Sequence, residues 1–168
     1  MEVYDAIRTV LAVRKYQSKP VPAETVRKIV DAGRLSASAR NVQPWQFIVV
    51  DDRETLQNLG SLARTGPYIA QAPVAIVVLT DKSQFGMSDT SRCIQNMVLT
   101  AWSEGVGSNW VGFFGLEAVK TLLGVPDAWE VFAILPLGYP ADKIGFGKKN
   151  RKPFEEVVYR GKFGVKYG

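Results

Sequence analysis

A short polar loop between a predicted helix and a predicted strand carries the side chains best suited to bind a ligand. Residues 38–45 read Ser-Ala-Arg-Asn-Val-Gln-Pro-Trp, and Pro44 stiffens the segment. The amides of Asn41 and Gln43 each offer a donor and an acceptor edge, which suits a heterocycle with alternating carbonyl and N–H groups. Ser and Asn in a loop also bond their own backbone. The composition alone leaves a ligand-binding loop and an ordinary turn equally open.

The chain lacks the side chains on which most hydrolytic and metal chemistry depends. Its 168 residues include no histidine and one cysteine, Cys93. This excludes Ser-His-Asp and Cys-His machinery, histidine-ligated zinc or haem, and multi-cysteine sites, so no metal site is predicted. Cys93 lies on a predicted helix without a base at hand, which favours a buried structural thiol over a nucleophile. Redox or transfer chemistry would therefore depend on a cofactor.

A glycine-rich segment begins like a dinucleotide-binding fingerprint and then departs from it. Gly105 and Gly107 have the required spacing, but Trp110 stands where the third glycine belongs. The segment also leads into a predicted strand instead of following one. A Rossmann-type NAD site is therefore not predicted here.

Positive charge is concentrated near the C-terminus. The formal net charge is +5, yet residues 143–168 alone carry +6, which leaves −1 for the rest of the chain. Such a tail suits an anionic partner, which can be nucleic acid, a membrane surface or the phosphate of a small ligand. A solvated tail that aids solubility explains the charge equally well. Basic and aromatic residues do not interleave as in a nucleic-acid platform, so no nucleic-acid partner is expected.

Helices and strands are interspersed along the chain. Apolar periodicity predicts helices at residues 3–11, 23–35, 56–62, 88–104 and 116–123. Apolar and β-branched runs predict strands at residues 45–50, 74–79, 109–114 and 131–137, with one more near 157–159. The pattern indicates an α/β or α+β sandwich, one sheet covered by helices, and a single domain over residues 1–168.

The longest predicted helix, residues 88–104, has apolar residues on more than one face. Ser88 or Asp89 is expected to cap its start, and Gly105 or Gly107 to end it. A helix that is apolar beyond one stripe should be buried on two sides. The sequence therefore predicts a homodimer with this helix in the interface.

Neither end of the chain nor its interior suggests a membrane protein. The longest apolar run, residues 72–79, is far shorter than the ~18 residues that cross a bilayer. The start, Met-Glu-Val-Tyr-Asp, is acidic where a signal peptide is basic. A cytoplasmic location and no membrane partner are expected.

Residues 32–47 resemble the signature of the nitroreductase family, a Pro-Ser-x-x-Asn-x-Gln-Pro-Trp loop, with Ala37 in the place of the proline. Residues 6–16 resemble the family's opening helix and its Arg-x-Phe/Tyr ending. Further similar segments follow in the family's order, namely residues 72–73, 89–101, 105–112, 137–140 and 151–158. The resemblance thus covers nearly the whole chain.

This resemblance implies an α+β fold with a central, mostly antiparallel sheet covered by helices. It also implies a homodimer in which the C-terminal segment reaches across to the partner and residues of both subunits line FMN. The implied enzyme passes hydride from NADH or NADPH through the flavin to an electron acceptor such as a nitroaromatic or a quinone. The alternative is a non-catalytic basic protein that binds nucleic acid or another anionic ligand.

The resemblance assigns contacts to the flavin ring by position. Ser38, Asn41 and Gln43 would contact the ring or the ribityl chain. Val111 and Gly112 would approach the ring through their backbone.

The resemblance also assigns the charged groups. Lys149 and Arg151 match the basic pair that holds the FMN phosphate, and Arg14 would stabilise the reduced flavin at its pyrimidine edge. Residues 10–12, Val-Leu-Ala, replace the Arg-Arg-Ser or Arg-His-Ser of the family. Three consequences of the missing charges stay open: weaker FMN binding, use of another flavin or a deazaflavin, or compensation by Arg8, Arg14 and the tail.

Overall fold

The computed structural model describes residues 1–112, 115–142 and 149–168. Its helices are α1 (Val3–Thr9), α2 (Ala23–Arg34), α3 (Arg53–Leu62), α4 (Gly86–Ser103), α5 (Glu117–Leu122) and α6 (Phe154–Val157). Its strands are β1 (Trp45–Val50), β2 (Val74–Asp81), β3 (Gly107–Ser108), β4 (Val111–Gly112) and β5 (Trp129–Gly138). Short 3-10 turns form at Ala39–Asn41 and Pro67–Gln71.

The five described strands form one antiparallel sheet in the order β1-β2-β5-β3, with β4 also paired to β5. Trp45 lies opposite Thr80 in the first pair, and Val74 lies opposite Leu137 in the second. Helices occur alongside this sheet without the regular β-α-β alternation of a parallel fold. The predicted α+β class with an antiparallel sheet is therefore confirmed.

Strand β2 is buried on both faces, which explains why its sequence is a continuous apolar run. Successive side chains of a strand point to opposite faces. Ile76 and Val78 pack in the cluster that includes residues of α2 and α4. Val77 and Leu79 pack in the second cluster, with residues of α3 and α5. The sheet thus separates two apolar cores.

Helix α4 begins earlier than the sequence predicts, and neither predicted residue caps it. The helix starts at Gly86, and its N-cap residue, Phe85, makes no side-chain capping bond. The Ser88 hydroxyl instead donates to the Phe85 carbonyl oxygen at 3.0 Å. The Asp89 carboxylate instead accepts a hydrogen bond from the Ala39 backbone N–H, in a distant segment of the chain. The predicted end is confirmed, because Gly105 follows the helix with a φ of 75°, which favours glycine.

The predicted strand near residues 157–159 is wrong. Pro153 immediately precedes the short helix α6, and its fixed φ suits the start of a helix. Tyr159 takes part only in an isolated bridge to Lys166. The strand predicted at residues 109–114 begins two residues later, because β4 starts at Val111, and residues 113 and 114 lie outside the described residues.

The dimer prediction concerned helix α4, and the structure buries this helix differently from what the sequence led us to expect. Within one chain, α1 packs on α4, and the Trp102 indole N–H donates to the Thr9 hydroxyl at 2.9 Å. Helix α2 covers another side of α4, so burial of α4 on two sides occurs within the chain. In contrast, Val3 and Ile7 on α1 are 70% and 47% exposed. The reason first given for a dimer is thus removed, and an unburied apolar face on α1 takes its place.

Among the helices of the described residues, none combines the length and the apolar character that a membrane crossing requires.

Candidate functional site

The loop before β1 has an unusual backbone. Arg40, Asn41 and Gln43 have φ values of 53°, 56° and 54°, in the left-handed region that L-residues other than glycine rarely adopt. Each such residue costs about 1–3 kcal/mol, which surrounding contacts must offset, and such strain concentrates at functional sites. An ordinary turn would place glycine or asparagine at such positions, so Arg40 and Gln43 are the unusual residues here. The backbone therefore favours a ligand-binding loop over a simple turn.

Ser38 holds this loop together from within. Its hydroxyl oxygen accepts from the Gln43 backbone N–H at 2.9 Å, and its carbonyl oxygen accepts from the Asn41 N–H at 3.1 Å. The hydroxyl proton of Ser38 remains available as a donor. The side chains of Asn41 and Gln43 are exposed, with one long bond of 3.4 Å from the Gln43 amide to the Asn41 carbonyl oxygen. Three groups with the predicted chemistry are thus presented together.

Three basic residues line an open cleft of about 530 Å³ beside α1. Arg8 comes from α1, and Lys149 and Arg151 come from the C-terminal segment. The Lys149 ammonium donates to the Ile7 carbonyl oxygen at 2.5 Å. Burial, and secondly the nearby Arg151, lowers the pKa of Lys149 below its ordinary value. The other residues that line this cleft are Tyr4, Ile7, Val10 and Gln95.

The donor set of this cleft suits a phosphate. The described residues of its lining include no carboxylate, although Arg8 bonds Asp5 at 3.2 Å from outside the lining. Guanidinium and ammonium groups give the strong charge-assisted bonds that phosphate oxygens require. Val10, the first of the three residues that replace the family's charged motif, lines the cleft as an apolar wall. Arg8 stands beside it and supplies a cation.

Arg14 lies in a second cleft, of about 300 Å³, which is lined by residues 11–15 together with Pro140 and Asp142. The central carbon of its guanidinium lies 6.0 Å from the centre of the Tyr68 ring. The Asn109 amide is hydrogen-bonded to the Tyr68 hydroxyl. Neither Tyr68 nor Asn109 is recognisable from sequence as a neighbour of Arg14, because nothing local links residues so far apart in the chain.

Tyr16 is hydrogen-bonded to the segment that lines this second cleft. Its buried hydroxyl donates to the Val13 carbonyl oxygen at 2.6 Å. Burial raises the pKa of Tyr16 well above its usual value, so the phenol stays neutral at physiological pH. This bond fixes the turn that presents Arg14.

Val111 and Gly112 form β4 and pair with Ile134 and Ala133. The Val111 side chain is buried in the apolar core. Gly112 is buried as well, and contact of this backbone with a ligand stays a prediction.

Comparison with known proteins follows from this geometry. The sequence profile of the nitroreductase family matches residues 8–73 and 62–139. A protein from Methanothermobacter thermautotrophicus is 39% identical over 154 residues, which is 86% of this chain and 81% of that protein. The chain belongs to the nitroreductase family. The recognition made from sequence is thereby confirmed.

Relatives of this nitroreductase-family chain carry related names. The protein from Methanothermobacter thermautotrophicus is provisionally named NADH dehydrogenase/NAD(P)H nitroreductase. A crystal structure from Bacteroides thetaiotaomicron with the same provisional name has a TM-score of 0.88 at 29% identity, covering 96% of this chain and 98% of that one. An FMN-dependent nitroreductase from Clostridium difficile has a TM-score of 0.85 at 28% identity, covering 95% and 99%.

The structure brings the predicted site residues of this nitroreductase-family chain into separate groups. Ser38, Asn41 and Gln43 share the loop, whereas Lys149 and Arg151 share the basic cleft. Arg14 lies in the second cleft. Across the described parts of the chain, the loop supplies no lining residue to either cleft. The two clefts of a single chain therefore do not enclose a site that uses all of these residues.

Proposed function

We propose that this chain binds FMN and, as a homodimer, passes reducing equivalents from NADH or NADPH to a small acceptor such as a nitroaromatic or a quinone. Its class as an NAD(P)H-dependent oxidoreductase follows from membership of the nitroreductase family, and the predicted enzyme is thereby confirmed. When bound, FMN would supply the two-electron chemistry that amino-acid side chains do not offer.

The observation that carries the proposal is the basic cleft. Arg8, Lys149 and Arg151 converge there from opposite ends of the sequence. Bringing three cations together costs free energy, and the Asp5 carboxylate offsets this cost only at Arg8. A phosphate monoester dianion provides negative charge and has three terminal oxygens for their N–H groups. The residues present therefore fit the phosphate of FMN.

Arg8 supports the fit at the position where this chain departs from its family. Residues 10–12 offer no charge, and Val10 contributes only apolar surface to the cleft. Arg8 lies on the last turn of α1 and lines the same cleft. We propose that Arg8 takes over part of the phosphate binding. The alternative of a non-catalytic anion-binding protein depended mainly on those missing charges, and membership of the nitroreductase family supports the enzyme instead.

The second cleft suits the opposite end of the ligand. Val10 lines the basic cleft, while residues 11–15 line the second one, so consecutive residues border both. A ligand extending from the phosphate along this segment would present its ring edge to Arg14. A guanidinium there favours negative charge on the ring. The side chain of Arg14 would thus stabilise the reduced cofactor.

The loop would complete the site from a second copy of the chain. Asn41 and Gln43 point their amides outward, and the loop lines neither cleft. Exposed apolar residues on α1 and in the tail, such as Val3 at 70% and Phe163 at 90%, offer surface for such an assembly. We propose that Ser38, Asn41 and Gln43 of one subunit contact the ring held by the clefts of its partner, and that residues 154–168 of each subunit, which follow the cleft residues Lys149 and Arg151, reach across to the other. The cytoplasmic location and the single domain over residues 1–168 stay predictions.

Titration of apo-protein with FMN and with riboflavin tests this proposal. Arg151→Ala should weaken FMN binding by about 2–3 kcal/mol, on the order of 30- to 150-fold, because a charge-assisted phosphate contact is lost. Arg151→Lys should recover only part, because an ammonium cannot bond in the bidentate way of a guanidinium. Riboflavin has no phosphate and should bind all variants alike.

Arg160→Ala is the matched control, since it removes the same charge from the same tail but does not line the cleft. It should leave FMN affinity within about twofold, which is an effect of less than ~0.5 kcal/mol. Purified wild-type protein should be yellow and absorb in the oxidised-flavin bands. Failure of the reconstituted protein to bind FMN would refute the proposal. Equal losses for FMN and riboflavin in Arg151→Ala would mean that Arg151 orders the tail and does not hold the phosphate.

A further inference from the structure

Helix α4 is bonded to both ends of the loop at residues 38–43. Before the loop, the Asn96 amide donates to the Ser36 hydroxyl at 2.7 Å. Within it, Asp89 Oδ2 accepts from the Ala39 backbone N–H at 2.8 Å. After it, the buried Thr90 hydroxyl lies 3.4 Å from the Pro44 carbonyl oxygen. One helix therefore sets where the loop begins, turns and ends.

Asp89 is the charged member of this set and is almost completely buried. Its side chain is 1% exposed. A buried carboxylate is unfavourable unless it is paired and hydrogen-bonded. Arg92, one turn further along α4, forms an ion pair with Oδ1, which leaves Oδ2 for the Ala39 N–H. One carboxylate oxygen of Asp89 thus pairs with Arg92, and the other accepts the hydrogen bond from the loop.

The bond to Ala39 acts directly before the strained part of the loop. Arg40 and Asn41 follow Ala39 with left-handed φ values, and Gln43 repeats that conformation. Such backbone persists only when surrounding contacts impose it. The bond from Asp89 fixes the peptide that leads into this stretch, and Ser38 fixes the peptide at its end through Gln43. Without the first bond, Asn41 and Gln43 can relax into ordinary backbone conformations and turn their amides elsewhere.

We infer that Asp89 is a positioning residue for ring recognition: its carboxylate imposes the left-handed loop that presents Asn41 and Gln43. This inference rests on the proposed function, because it assigns those two amides to the ring of the flavin. It does not place Asp89 in contact with the ligand.

Substitutions at both partners of the bond test the inference. Asp89→Ala removes the acceptor, whereas Asp89→Asn keeps an amide oxygen that can accept from the Ala39 N–H. Ala39→Pro removes the donor and leaves the Asp89–Arg92 pair intact, and the extended backbone of Ser38 tolerates a following proline. Asp31→Ala is the matched control, since Asp31 pairs with Arg34 at the same spacing on α2 but has no bond to the loop.

Ring affinity is the functional readout. Asp89→Ala and Ala39→Pro should each weaken FMN and riboflavin equally, by tenfold or more, because the loop contacts the ring and not the phosphate. Asp89→Asn should stay within about threefold of wild type, and Asp31→Ala should bind both flavins normally. The thermal unfolding midpoints of the variants should not follow the order of their flavin affinities. If Asp89→Asn is as impaired as Asp89→Ala, or if Ala39→Pro binds flavin like wild type, the inference is overturned.

Amide hydrogen exchange of the apo-protein measures how well ordered the loop is in the absence of flavin. Exchange of residues 38–43 should accelerate in Asp89→Ala and Ala39→Pro, while the amides of β2 and β5 stay protected as in wild type. If wild-type protein binds no flavin but this exchange pattern is found, the proposed function fails and the structural control by Asp89 stands. If exchange accelerates throughout the sheet in both variants, Asp89 is a general stabilising residue and the inference fails. Should Asp89→Ala not fold, Ala39→Pro alone decides.

Discussion

The Lys149 ammonium donates to the carbonyl oxygen of Ile7 and so ties the C-terminal segment to the end of α1. The last carbonyl groups of a helix have no partner within it, and Lys149 satisfies one of them. An ammonium has three donors, so others remain for a ligand in the basic cleft. The tail and α1 therefore form the anion site jointly.

The lowered pKa of Lys149 predicts that FMN binding depends on pH. Burial and the nearby Arg151 lower this pKa, so the free protein loses the charge of Lys149 at a pH below the ~10.4 of ordinary lysine. FMN affinity should fall once the pH passes this lowered pKa, and riboflavin affinity should not. Lys149→Met should weaken FMN binding about tenfold at neutral pH, equivalent to ~1.4 kcal/mol, and remove the alkaline decline.

Lys152→Met is the control for that experiment, because Lys152 lies in the same segment but does not line the cleft. Fluorescence titration between about pH 7 and pH 10 covers the expected change, since ordinary lysine titrates near 10.4. An alkaline decline that persists in Lys149→Met would exclude Lys149 as its source.

The left-handed φ of Asn41 allows its amide to be tested without added strain. Asn41→Gly removes the side chain and suits this backbone, whereas Asn41→Ala also adds strain. Both should weaken flavin binding ~ten- to hundredfold, or ~1–3 kcal/mol for a lost bond to a buried ring edge. Arg40→Gly is the control at a neighbouring residue with the same conformation and should bind normally. Gln43→Ala should resemble Asn41→Ala. Full flavin content in Asn41→Gly would disprove the contact.

Gly107 permits the close approach of the segment that carries Arg14. A Cβ at residue 107 would lie 2.7 Å from the Val13 Cβ, and the Val13 N–H donates to the adjacent Ser108 carbonyl oxygen at 2.8 Å. Gly107→Ala should therefore shift residues 12–14, lower the free energy of unfolding by about 1–3 kcal/mol and weaken riboflavin binding.

Gly105→Ala provides the comparison for Gly107. Its added Cβ would meet open space, but its φ of 75° makes the substitution unfavourable by about 1 kcal/mol. Thermal unfolding should show a loss in both variants, with normal riboflavin affinity in Gly105→Ala only. Normal riboflavin affinity in both variants would show that Gly107 does not determine the position of Arg14.

The exposed apolar face of α1 predicts a dimer. Light scattering at micromolar concentration should give twice the mass of one chain. Val3→Glu should weaken this association, because Val3 is exposed on α1 and lines neither cleft. Leu122→Glu, at an exposed apolar residue of α5, should leave the dimer intact. A monomeric wild type would contradict the dimer, and a dimeric Val3→Glu variant would contradict this interface.

Cys93 should be unreactive in the folded protein. It lies on α4, fully buried in the core that α4 shares with α2, and burial raises the pKa of the thiol to about 12. The thiolate is the reactive species, so alkylation by iodoacetamide at pH 8 should be very slow until the chain unfolds. Mass spectrometry with and without denaturant measures this. Rapid modification of the native protein would contradict the predicted structural role.

Sequence alone determined the elements whose pattern is local. The limits of β1 were predicted at Trp45–Val50 as observed, and α2 differs by one residue, because apolar periodicity and flanking prolines act over a few positions. Val157 and its neighbours have β propensity, which led to the strand prediction near residues 157–159. No strand forms there, because the short helix α6 follows Pro153 instead. The loop at residues 38–43 could be located from sequence, but its left-handed backbone could not.

Only the tertiary structure decided how the candidate site is assembled. Arg8 and Lys149 are 141 positions apart, and Asp89 and Ala39 are 50 apart, so no periodicity or spacing rule connects them. Such pairs form because the sheet and α4 place distant segments side by side, after apolar burial has fixed the layers. The sequence thus determined the elements, the resemblance to a family and most ligand-type side chains. The fold determined which cations share a cleft and which carboxylate holds the loop, because hydrogen bonds and ion pairs depend on distances that chain connectivity alone does not set.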